Sequence, residues 1–435
     1  MNQRIWLLFI TIFTFQLAIA QGHDNDQTGH DQDQTEHVSQ DGHEHDADQA
    51  HSDDHDDHGS CGMHHDDTYN PGGTAFHHIS DQNVFSIGPV QIPLPCMLYT
   101  FDDGLKMFSS SKFHSDTHGN GEYAHDGWIL YNGVVKRITD PGFPMGEVEL
   151  GHHKVFYQKE EVDGKSVDRF YACYNDQLWP AESESTIDGG LFGGGMTSFI
   201  DFSITKNVVT MILTLLICFL IFRSVRNAYT TRDGQAPSGL QGFMEPIFVF
   251  MRDEVMVPFI GPKYEKYLPF VMSIFFSILF LNLIGQVPFL GNANVTGQLA
   301  FTMVIAVFAF LVTNLSGNGH YWQHVFWMPG LPIWVKVLVT PVEIIGLFLK
   351  PITLMLRLFG NITAGHMVIV IFVGLIFVFG NSGQNMGAGI GAVFGSGILS
   401  MFMMAIELLV AFIQAFVFAL LTASYIGAAV EEVHH

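Results

Sequence analysis

Two apolar segments, 337–379 and 389–430, constrain the fold of this chain more than any other feature, because each exceeds forty residues. As a single helix, either would be about 65 Å long, roughly twice the ~30 Å thickness of a bilayer core. Neither contains a polar loop at which the chain would turn between two spans. Each is therefore a steeply tilted helix or a broken, re-entrant pair, with kinks expected near Pro341 and Pro351. The polar connection "GNSGQNMGAG" predicts a long helical hairpin lying well off the membrane normal.

Three further apolar runs complete the prediction of an all-α polytopic membrane protein with about five crossings. Residues 204–222 form the first span, and the arginines that follow it mark the cytoplasmic side: Arg223, Arg226 and Arg232. The segment "GFMEPIFVFMRDEVMVPFIG" is too short and too charged to span, so we expect an interfacial helix there. Residues 267–290 return outward and 299–315 go inward again. The segment "GNGHYWQHVFWMPGLP" is expected to connect two spans in the cytoplasm, where the C-terminus also lies.

The chain before residue 201 is polar and acidic. Residues 1–20 predict a cleaved signal peptide, with Arg4, an apolar core and Ala18-Ile19-Ala20 before Gln21; an uncleaved anchor is the alternative. Residues 21–69 form a His/Asp-rich tail, which is predicted to be disordered because it has too few apolar residues to offset ordering entropy. Its histidines lack fixed ligand spacing, so loose metal binding and a merely solvated tail both remain open.

Residues 70–200 predict a small β-rich region on the exported side of the membrane. "GWILYNGVVKRI" offers two strands around Asn132-Gly133, and "HHKVFYQKEEVDGKSVDRFYACYN" reads as a hairpin with Asp163-Gly164 at its turn. No catalytic constellation stands out here, and "GGLFGGG" predicts a flexible joint before the membrane domain, 201–435. Cys96 and Cys173 are the two cysteines of this region that could pair, but connectivity does not follow from sequence.

The segment 337–379 contains four ionisable residues. Three of them, Glu343, Lys350 and Arg357, are spaced by seven and so fall on one helical stripe, with Asn361 one turn further. Arg357 lies some twenty residues from both ends of the segment, which argues against snorkelling to the interface. A charge at bilayer depth costs about 2.5–3.5 kcal/mol on insertion scales, so ionisable residues there indicate an ion path by default.

The last apolar segment carries a matching stripe at the same spacing, formed by Ser400, Glu407 and Gln414. If the two arms pack together, Arg357 and Asn361 are expected near Gln414, although interhelical hydrogen bonds alone would also explain such stripes. His366 follows Arg357 by nine residues, about half a turn around the helix. It pairs chemically with Glu407 as a candidate proton relay, since histidine titrates near neutral pH and burial raises a glutamate toward that range.

The segment "PVEIIGLFLKPITLMLRLFGNITAGH" resembles the signature of subunit a of F-type ATP synthases. The segments "FLNLIGQVPF", "NANVTG" and "ELLVAFIQAFVFALLTASYI" are similar to other parts of that family, so the resemblance covers about residues 200–430. It implies that Arg357 is the essential arginine facing the ion-binding carboxylate of the c-ring. It further implies polar neighbours at Asn361 and Gln414. His366 and Glu407 look like an acid–imidazole pair whose two residue types are swapped between these positions in some relatives. Glu343, Lys350 and Tyr425 match further, supporting polar positions.

The resemblance implies a non-catalytic, proton-translocating stator subunit in a bacterial inner membrane, with the N-terminal region periplasmic and no cofactor. Its expected partners are the c-ring, b-type peripheral stalk subunits and the rest of the ATP synthase, with no nucleic acid. Sodium in place of protons stays open. The alternatives from other classes are a transition-metal transporter, suggested by the His-rich tail, and a structural anchor, which leaves Arg357 unexplained. The role of residues 21–200 and the size of the ring do not follow from the sequence.

Overall fold

The computed structural model describes Cys61 and residues 80–431, except 88–89, 116–118, 152–153, 163–164, 186–196, 233, 288–292 and 380–385. Within these ranges, strands predominate up to Asp201 and helices follow from Lys206, which confirms a polytopic helical fold with a β-rich N-terminal region. We call the described part from Ser80 to Asp201 the β module. The predicted signal peptide, the tail other than Cys61 and the "GGLFGGG" joint lie outside the described residues.

The β module contains three antiparallel sheets, of two, seven and three strands. The first pairs β1 (Val84–Ile87) with β2 (Val90–Pro93). The third has the order β12-β3-β4, with β3 at Pro95–Thr100, β4 at Gly104–Ser109 and β12 at Phe199–Asp201. The second has the order β8-β5-β6-β7-β11-β10-β9. Its strands are β5 Tyr123–His125, β6 Trp128–Tyr131, β7 Val134–Ile138, β8 Glu147–Glu149, β9 Val155–Val162, β10 Lys165–Tyr174 and β11 Gln177–Glu182.

Both hairpins that the sequence predicts are present as strand pairs. Asn132 and Gly133 connect β6 to β7 with φ of 47° and 80°. Two consecutive positive φ values define the tight turn whose twist matches the flanking strands, and Asn-Gly adopts it readily. Strands β9 and β10 also pair in register from Val155 with Ala172 to Val162 with Lys165, while the predicted turn at 163–164 lies outside the described residues.

The cysteine pairing considered from the sequence is wrong. Cys173 on β10 forms a disulfide with Cys61, and not with Cys96. Cys96 is a free, fully buried thiol on β3, where the Asn83 amide donates to its sulfur at 3.4 Å. Cys61 lies in the polar tail, and the bond fixes that point of the tail to β10 of the module.

The helical part contains eight described α-helices. They are α1 Lys206–Thr231, α2 Leu240–Phe250, α3 Val257–Ile260, α4 Tyr264–Gly285, α5 Leu299–Leu315, α6 Gly319–Phe326, α7 Ile333–Phe379 and α8 Met386–Val430. A π-helical turn at Met251–Met256 joins α2 to α3, and a 3-10 turn at Gly261–Lys263 joins α3 to α4. Another 3-10 turn, Val295–Gly297, precedes α5.

The two long apolar segments are single helices. α7 has 47 residues and α8 has 45, so each is about 70 Å long at 1.5 Å per residue and must be strongly tilted to stay within a bilayer. The alternative of a broken, re-entrant pair is therefore wrong for both. Pro341 and Pro351 lie inside α7, which continues through them. The two helices pack on each other along the hairpin that the sequence predicts.

Two shorter segments contain helices that join closely to their neighbours. The stretch predicted as a separate interfacial helix is α2, which leads almost without interruption through α3 into α4 as one helical path of 46 residues. The predicted cytoplasmic connection contains the helix α6, bent by 109° from α5. Four described helical paths are long and apolar enough to cross a membrane, or five if α5 and α6 count as one bent span, in agreement with about five crossings.

Small residues let α8 pack closely against its neighbours. Ala411, Ala415, Ala419 and Ala423 recur every fourth residue and are all fully buried. Further along, Gly427 lies so close to α3 that an added Cβ would stand 1.9 Å from the carbonyl oxygen of Phe259. Small side chains allow such close approach, and packing is the main attraction between helices in lipid. The C-terminal half of α8 is therefore held firmly, which fixes the polar residues that it carries.

Candidate functional site

The centre of the helical part is a buried histidine–glutamate pair. His366 Nδ1 on α7 lies 3.0 Å from Glu407 Oε1 on α8, and the two side chains are 14% and 5% exposed. The two residues are 41 positions apart in the chain, so only the packing of α7 on α8 brings them together. The structure thus places in contact the two residues that the sequence suggested as a proton relay. An imidazole and a carboxylate at this distance can share or exchange a proton.

Two amide side chains at the C-terminal end of α4 hold α8 beside this pair. Asn282 Nδ2 donates to the carbonyl oxygen of Ala411 at 3.1 Å, and Gln286 Nε2, from the residue that follows the helix, donates to that of Glu407 at 3.0 Å. The donors are four residues apart in the chain, and so are the acceptors on α8. These two hydrogen bonds fix the rotation of α8 about its axis, and the Glu407 side chain therefore points toward α7.

The Val295–Gly297 turn connects the same amide to α7. Thr296 Oγ1 donates to Asn282 Oδ1 at 2.6 Å, and Thr363 Oγ1 donates to the carbonyl oxygen of Gly297 at 3.1 Å. Thr363 lies three residues before His366 and therefore one turn away on the same face of α7. The buried hydrogen bonds of α4, the turn, α7 and α8 thus form one polar network around the pair.

Gly365 provides the space for the glutamate. A Cβ at this position would lie 3.3 Å from Glu407 Oε1, the oxygen that contacts His366. A methyl group there would crowd the carboxylate, so the absence of a side chain allows α7 and α8 to approach at this level.

Arg357 lies on the opposite face of α7 from His366. Nine residues at 100° each correspond to half a turn, and accordingly Arg357 is exposed while His366 points into the bundle. Asn361, one turn further, is also exposed. Among the residues that the structure describes, Arg357 forms no hydrogen bond or ion pair, although its charge acts on Tyr425. A guanidinium at membrane depth is costly unless water or a polar partner reaches it.

Gln414 is placed differently from Arg357 and Asn361. It is buried on α8, two turns beyond Glu407, and no hydrogen bond between described residues joins it to either of them. The sequence analysis expected these three side chains to lie near one another in the packed hairpin. The structure brings Gln414 to the buried side together with Glu407, whereas Arg357 and Asn361 are on the exposed surface of α7.

A second polar group lies in a pocket further along the hairpin. Lys350 Nζ is 5.3 Å from the centre of the Tyr425 ring, a cation–π contact between α7 and α8. The same pocket is lined by Asn314 and Tyr321, whose side chains are joined by a hydrogen bond of 3.0 Å. Glu343 is half-buried two turns before Lys350. The supporting stripe that the sequence predicts therefore leads from the surface into this pocket.

The structure gives no support to a transition-metal site. Across the described ranges, which leave out most of the His-rich tail, no group of three or more His, Cys, Asp or Glu side chains is placed to hold a metal ion. His366 has Glu407 as its partner and lies at the helix contact just described.

The family model described as ATP synthase A chain matches residues 208–427, just over half of the chain. The chain belongs to the ATP synthase subunit a family. Its apolar helices and this membership together make it a multi-pass membrane protein. A second family model, described only as a domain of unknown function, matches residues 74–173 and thus most of the β module.

Similar proteins support the same family. The chain is 41% identical over 241 residues to the ATP synthase subunit a of Chloroherpeton thalassium, covering 54% of this chain and 69% of that protein. It is 37% identical over 248 residues to the ATP synthase subunit a of Myxococcus xanthus, covering 56% and 78%. With the ATP synthase subunit a of Anaeromyxobacter sp., it shares 37% identity over 310 residues, covering 67% and 71%.

Sequence reasoning missed the residues on α4 and the Val295–Gly297 turn that surround the pair in this subunit a relative. Asn282 and Gln286 stand four apart inside "FLNLIGQVPF", a spacing that places two amides on one face of a span. Polar side chains in a span usually find partners on a neighbouring helix, so this spacing was an available signal. Which helix they contact depends on tertiary packing and does not follow from the spacing.

Proposed function

We propose that this chain is the non-catalytic, proton-conducting stator subunit of a bacterial F-type ATP synthase, with two half-channels that meet a rotating c-ring. The observation that carries the proposal is the arrangement on α7. A titratable pair, His366 and Glu407, is buried on one face, and an unpaired arginine, Arg357, is exposed on the other. A structural anchor needs neither feature, and the membrane makes both of them costly.

The outer half-channel includes the His366–Glu407 pair and Gln414. The imidazole of His366 has two ring nitrogens, so it can accept a proton on one and release it from the other. Glu407 shares that proton across a contact of 3.0 Å. The amides of Asn282 and Gln286 and the two threonines hold the helices at this level, which keeps donor and acceptor within reach.

Arg357 acts on the ion-binding carboxylate of the ring. A fixed positive charge favours the ionised form of a carboxyl that arrives beside it, so the carboxyl releases its proton before it passes. The same charge repels a proton moving directly between the two half-channels. Asn361, exposed one turn away, lies on the surface that the ring would face and offers a neutral hydrogen-bonding group there.

The inner half-channel includes the pocket of Lys350 and Tyr425, with Glu343 toward its opening. Lys350 and His366 are sixteen residues apart on one continuous helix, which is about 24 Å at 1.5 Å per residue. Arg357 stands between them along the helix axis and therefore separates the two polar groups. Protons enter by one group and leave by the other after nearly a full turn of the ring.

The subunit functions within the whole complex, beside b-type peripheral stalk subunits, in the bacterial inner membrane. Its N-terminal region faces the outside and its C-terminus the cytoplasm, in accord with the arginines at the end of α1. Each proton that crosses 100 mV carries about 2.3 kcal/mol, which turns the ring and drives catalysis in partner subunits.

The test replaces Arg357. Arg357→Lys should abolish coupled ATP synthesis, because a desolvated lysine loses charge more readily and lacks the planar guanidinium. Arg357→Ala should abolish it as well and open a passive proton leak. Membrane insertion should be unaffected, since removing a charge favours the lipid phase. Lys336→Ala is the matched control, because Lys336 is another cation of α7, near its start, with Nζ 5.0 Å from the Trp327 ring.

Each variant is assembled in membrane vesicles, and ATP synthesis, ATP-driven proton pumping and passive proton permeability are compared. Wild-type pumping by Arg357→Ala would show that the arginine is structural and would refute the proposal. Replacing the proton gradient by a sodium gradient in the same vesicles identifies the transported ion.

A further inference from the structure

A buried cluster of charged side chains lies where the β module meets the first span, and the function proposed above does not use it. The cluster contains Asp81 near the start of the module, Lys136 on β7, Asp201 at the end of β12 and Lys206 at the start of α1. All four are less than a tenth exposed. Burying four ionisable groups is costly unless they have partners or a role, so the cluster requires an explanation.

Asp81 joins the module directly to the first turn of α1. Its Oδ1 accepts hydrogen bonds from the backbone amides of Gln82 at 3.0 Å and Asn207 at 3.1 Å, and the carbonyl oxygen of Gln82 accepts one from the amide of Lys206 at 2.8 Å. Burial raises the pKa of Asp81, while the Thr205 hydroxyl, the Lys206 charge and these amides oppose that rise. Burial thus favours the neutral form of the Asp81 carboxyl, and its polar and charged neighbours favour the ionised form.

The neighbouring side chain, Asn207, is buried without a partner. It is 2% exposed, and neither its amide nitrogen nor its amide oxygen has a hydrogen-bond partner among the described residues. An unsatisfied buried amide costs about 1–3 kcal/mol, so such groups in native structures commonly serve water or an ion. The backbone N–H of the same residue donates to Asp81 Oδ1, and the unpartnered side-chain amide has both a donor and an acceptor to offer.

From this point, polar groups continue to the His366–Glu407 pair. The fully buried residues of α1 all lie within its first nine positions, and the polar ones among them are Lys206, Asn207, Thr210 and Thr214. Helix α1 also contacts the Val295–Gly297 turn. That turn bonds to Asn282 through Thr296 and to Thr363 through Gly297, as described above. Buried polar side chains are therefore present on α1, on the turn it contacts and on the helices that hold the pair.

We propose that Asp81 and Asn207 form the mouth of the outer proton path, so that the β module is part of the ion-conducting machinery. Asp81 takes a proton from the outside water and passes it along the polar layer of α1 and the Val295–Gly297 turn to the His366–Glu407 pair. Each proton that Asp81 gives up is replaced by one from the outside, so the carboxyl is unchanged after each cycle. This inference rests on the proposed function of the pair.

The test compares three isosteric or near-isosteric variants in the assembled enzyme. Asp81→Asn keeps the oxygen that accepts the two amides but cannot carry a proton. Asn207→Leu removes the unpartnered amide and keeps the side-chain volume. Glu184→Gln is the matched control, because it neutralises another buried carboxylate of the module that is not in the proposed path. ATP synthesis driven by an imposed proton gradient is measured in vesicles over a range of outer pH.

We expect Asp81→Asn and Asn207→Leu to lower the rate of synthesis about tenfold, less than the roughly 10²–10⁴-fold effect of a group that transfers a proton in a transition state, because the rest of the path is retained. The outer pH at which synthesis is half-maximal should also fall by about one unit, because a proton entrance that is less efficient needs about ten times the outer proton concentration. Asn207→Leu should at the same time raise the thermal stability of the chain, since it removes a buried unpaired amide. A purely structural role predicts the gain in stability without the loss of rate.

Two outcomes overturn the inference. One is a wild-type rate and pH profile for Asn207→Leu, which decides the matter even if Asp81→Asn fails to assemble. The other is an equal loss of rate in Glu184→Gln, which would show that neutralising any buried charge of the module has this effect. Glu407→Ala in the same vesicles separates this inference from the proposed function. If Glu407→Ala slows synthesis while Asn207→Leu does not, only the mouth is refuted; if neither does, the proposed path itself fails.

Discussion

At the scale of single residues, the contact between His366 and Glu407 predicts that substitutions of these two residues have non-additive effects on proton flow. Replacing either by alanine should slow passive proton flow through the assembled complex, and the double variant should cost less than the two losses combined. Residues in direct contact commonly show interaction energies of about 0.5–3 kcal/mol in such cycles. The measurement is the passive proton permeability of vesicles carrying each variant. If the losses of the two single variants simply add up in the double variant, the pairing is contradicted.

Ser400 provides the control for this cycle. It lies on α8 seven residues before Glu407, on the same stripe, and its buried hydroxyl has no hydrogen-bond partner among the described residues. Combining Ser400→Ala with His366→Ala should therefore give additive effects. Coupling in this second cycle would indicate that alanine substitutions on these helices interact through general repacking.

Sequence spacing predicted much of the site at this scale. The heptad interval placed Glu343, Lys350 and Arg357 on one stripe, and the nine-residue interval placed His366 on the opposite face from Arg357. These are local consequences of helix geometry. The contact of Glu407 with His366 was suggested by chemistry and resemblance, and the supports from α4 were not predicted. Interhelical contacts depend on packing between distant segments, for which spacing carries no information.

At the scale of elements, the close contact between α8 and α3 predicts an effect of Gly427. Gly427→Ala should separate these helices, because its Cβ would overlap the Phe259 carbonyl group. Overpacking typically costs about 1–3 kcal/mol, so we expect a lower unfolding temperature in detergent and poorer assembly. Gly346→Ala is the control: nothing lies within 4 Å of an added Cβ there, and alanine favours the helix by up to about 1 kcal/mol. Equal stability of the two variants would contradict the contact.

The β module has its own pH dependence. Burial raises the pKa of Asp201 to about 6, against the opposing hydrogen bonds from Ser203. A carboxyl with a raised pKa stabilises the fold while it is protonated, below its ordinary value near 4, and loses that contribution as the pH rises toward about 6. The loss is at most about 3 kcal/mol, since one pKa unit corresponds to 1.36 kcal/mol.

Asp201→Asn should therefore weaken the loss of the module's protection from hydrogen exchange between pH 4 and pH 6, within the full chain. The wild type should lose protection over this interval. Asp140→Asn is the control, because Asp140 is exposed and its oxygen accepts from the Gly142 amide, which asparagine can also do. A pH profile of Asp201→Asn that matches the wild type would contradict the assignment.

Elements were predicted best where the local signal was strong. Asn132-Gly133 identified a hairpin, and the run 299–315 was located to the residue because polar residues bound it on both sides. The segment around α2 predicts an interfacial helix, because it is too short and too charged to span. In the structure Arg252, Asp253 and Glu254 lie in the π-helical turn Met251–Met256, where Arg252 and Asp253 pair with each other at 2.6 Å. Such an ion pair neutralises the charges that a hydropathy argument counts.

At the scale of the whole molecule, the His/Asp-rich tail is expected to be dispensable for coupling. Deleting residues 23–58 should leave proton-driven ATP synthesis in vesicles unchanged at ample metal supply, because its composition predicts disorder without fixed ligand spacing. The deletion stops short of Cys61, so that the disulfide to Cys173 is retained. A collapse of synthesis with normal assembly would show that the tail is part of the machine. Deletion of residues 23–67, which removes Cys61, distinguishes loss of the tail from loss of the bond.

The same disulfide converts a large part of the chain into a covalent ring, since its two cysteines are separated by 112 residues. Closing a loop of that size contributes about 5 kcal/mol in the chain-entropy account. A ring also survives a single protease nick, because the two pieces stay linked until a reductant is added. Nicked molecules then migrate as one band without reductant and as two with it. Gel electrophoresis of protease-treated spheroplasts, in which the outer face of the inner membrane is accessible, therefore reveals directly which side of that membrane carries the β module.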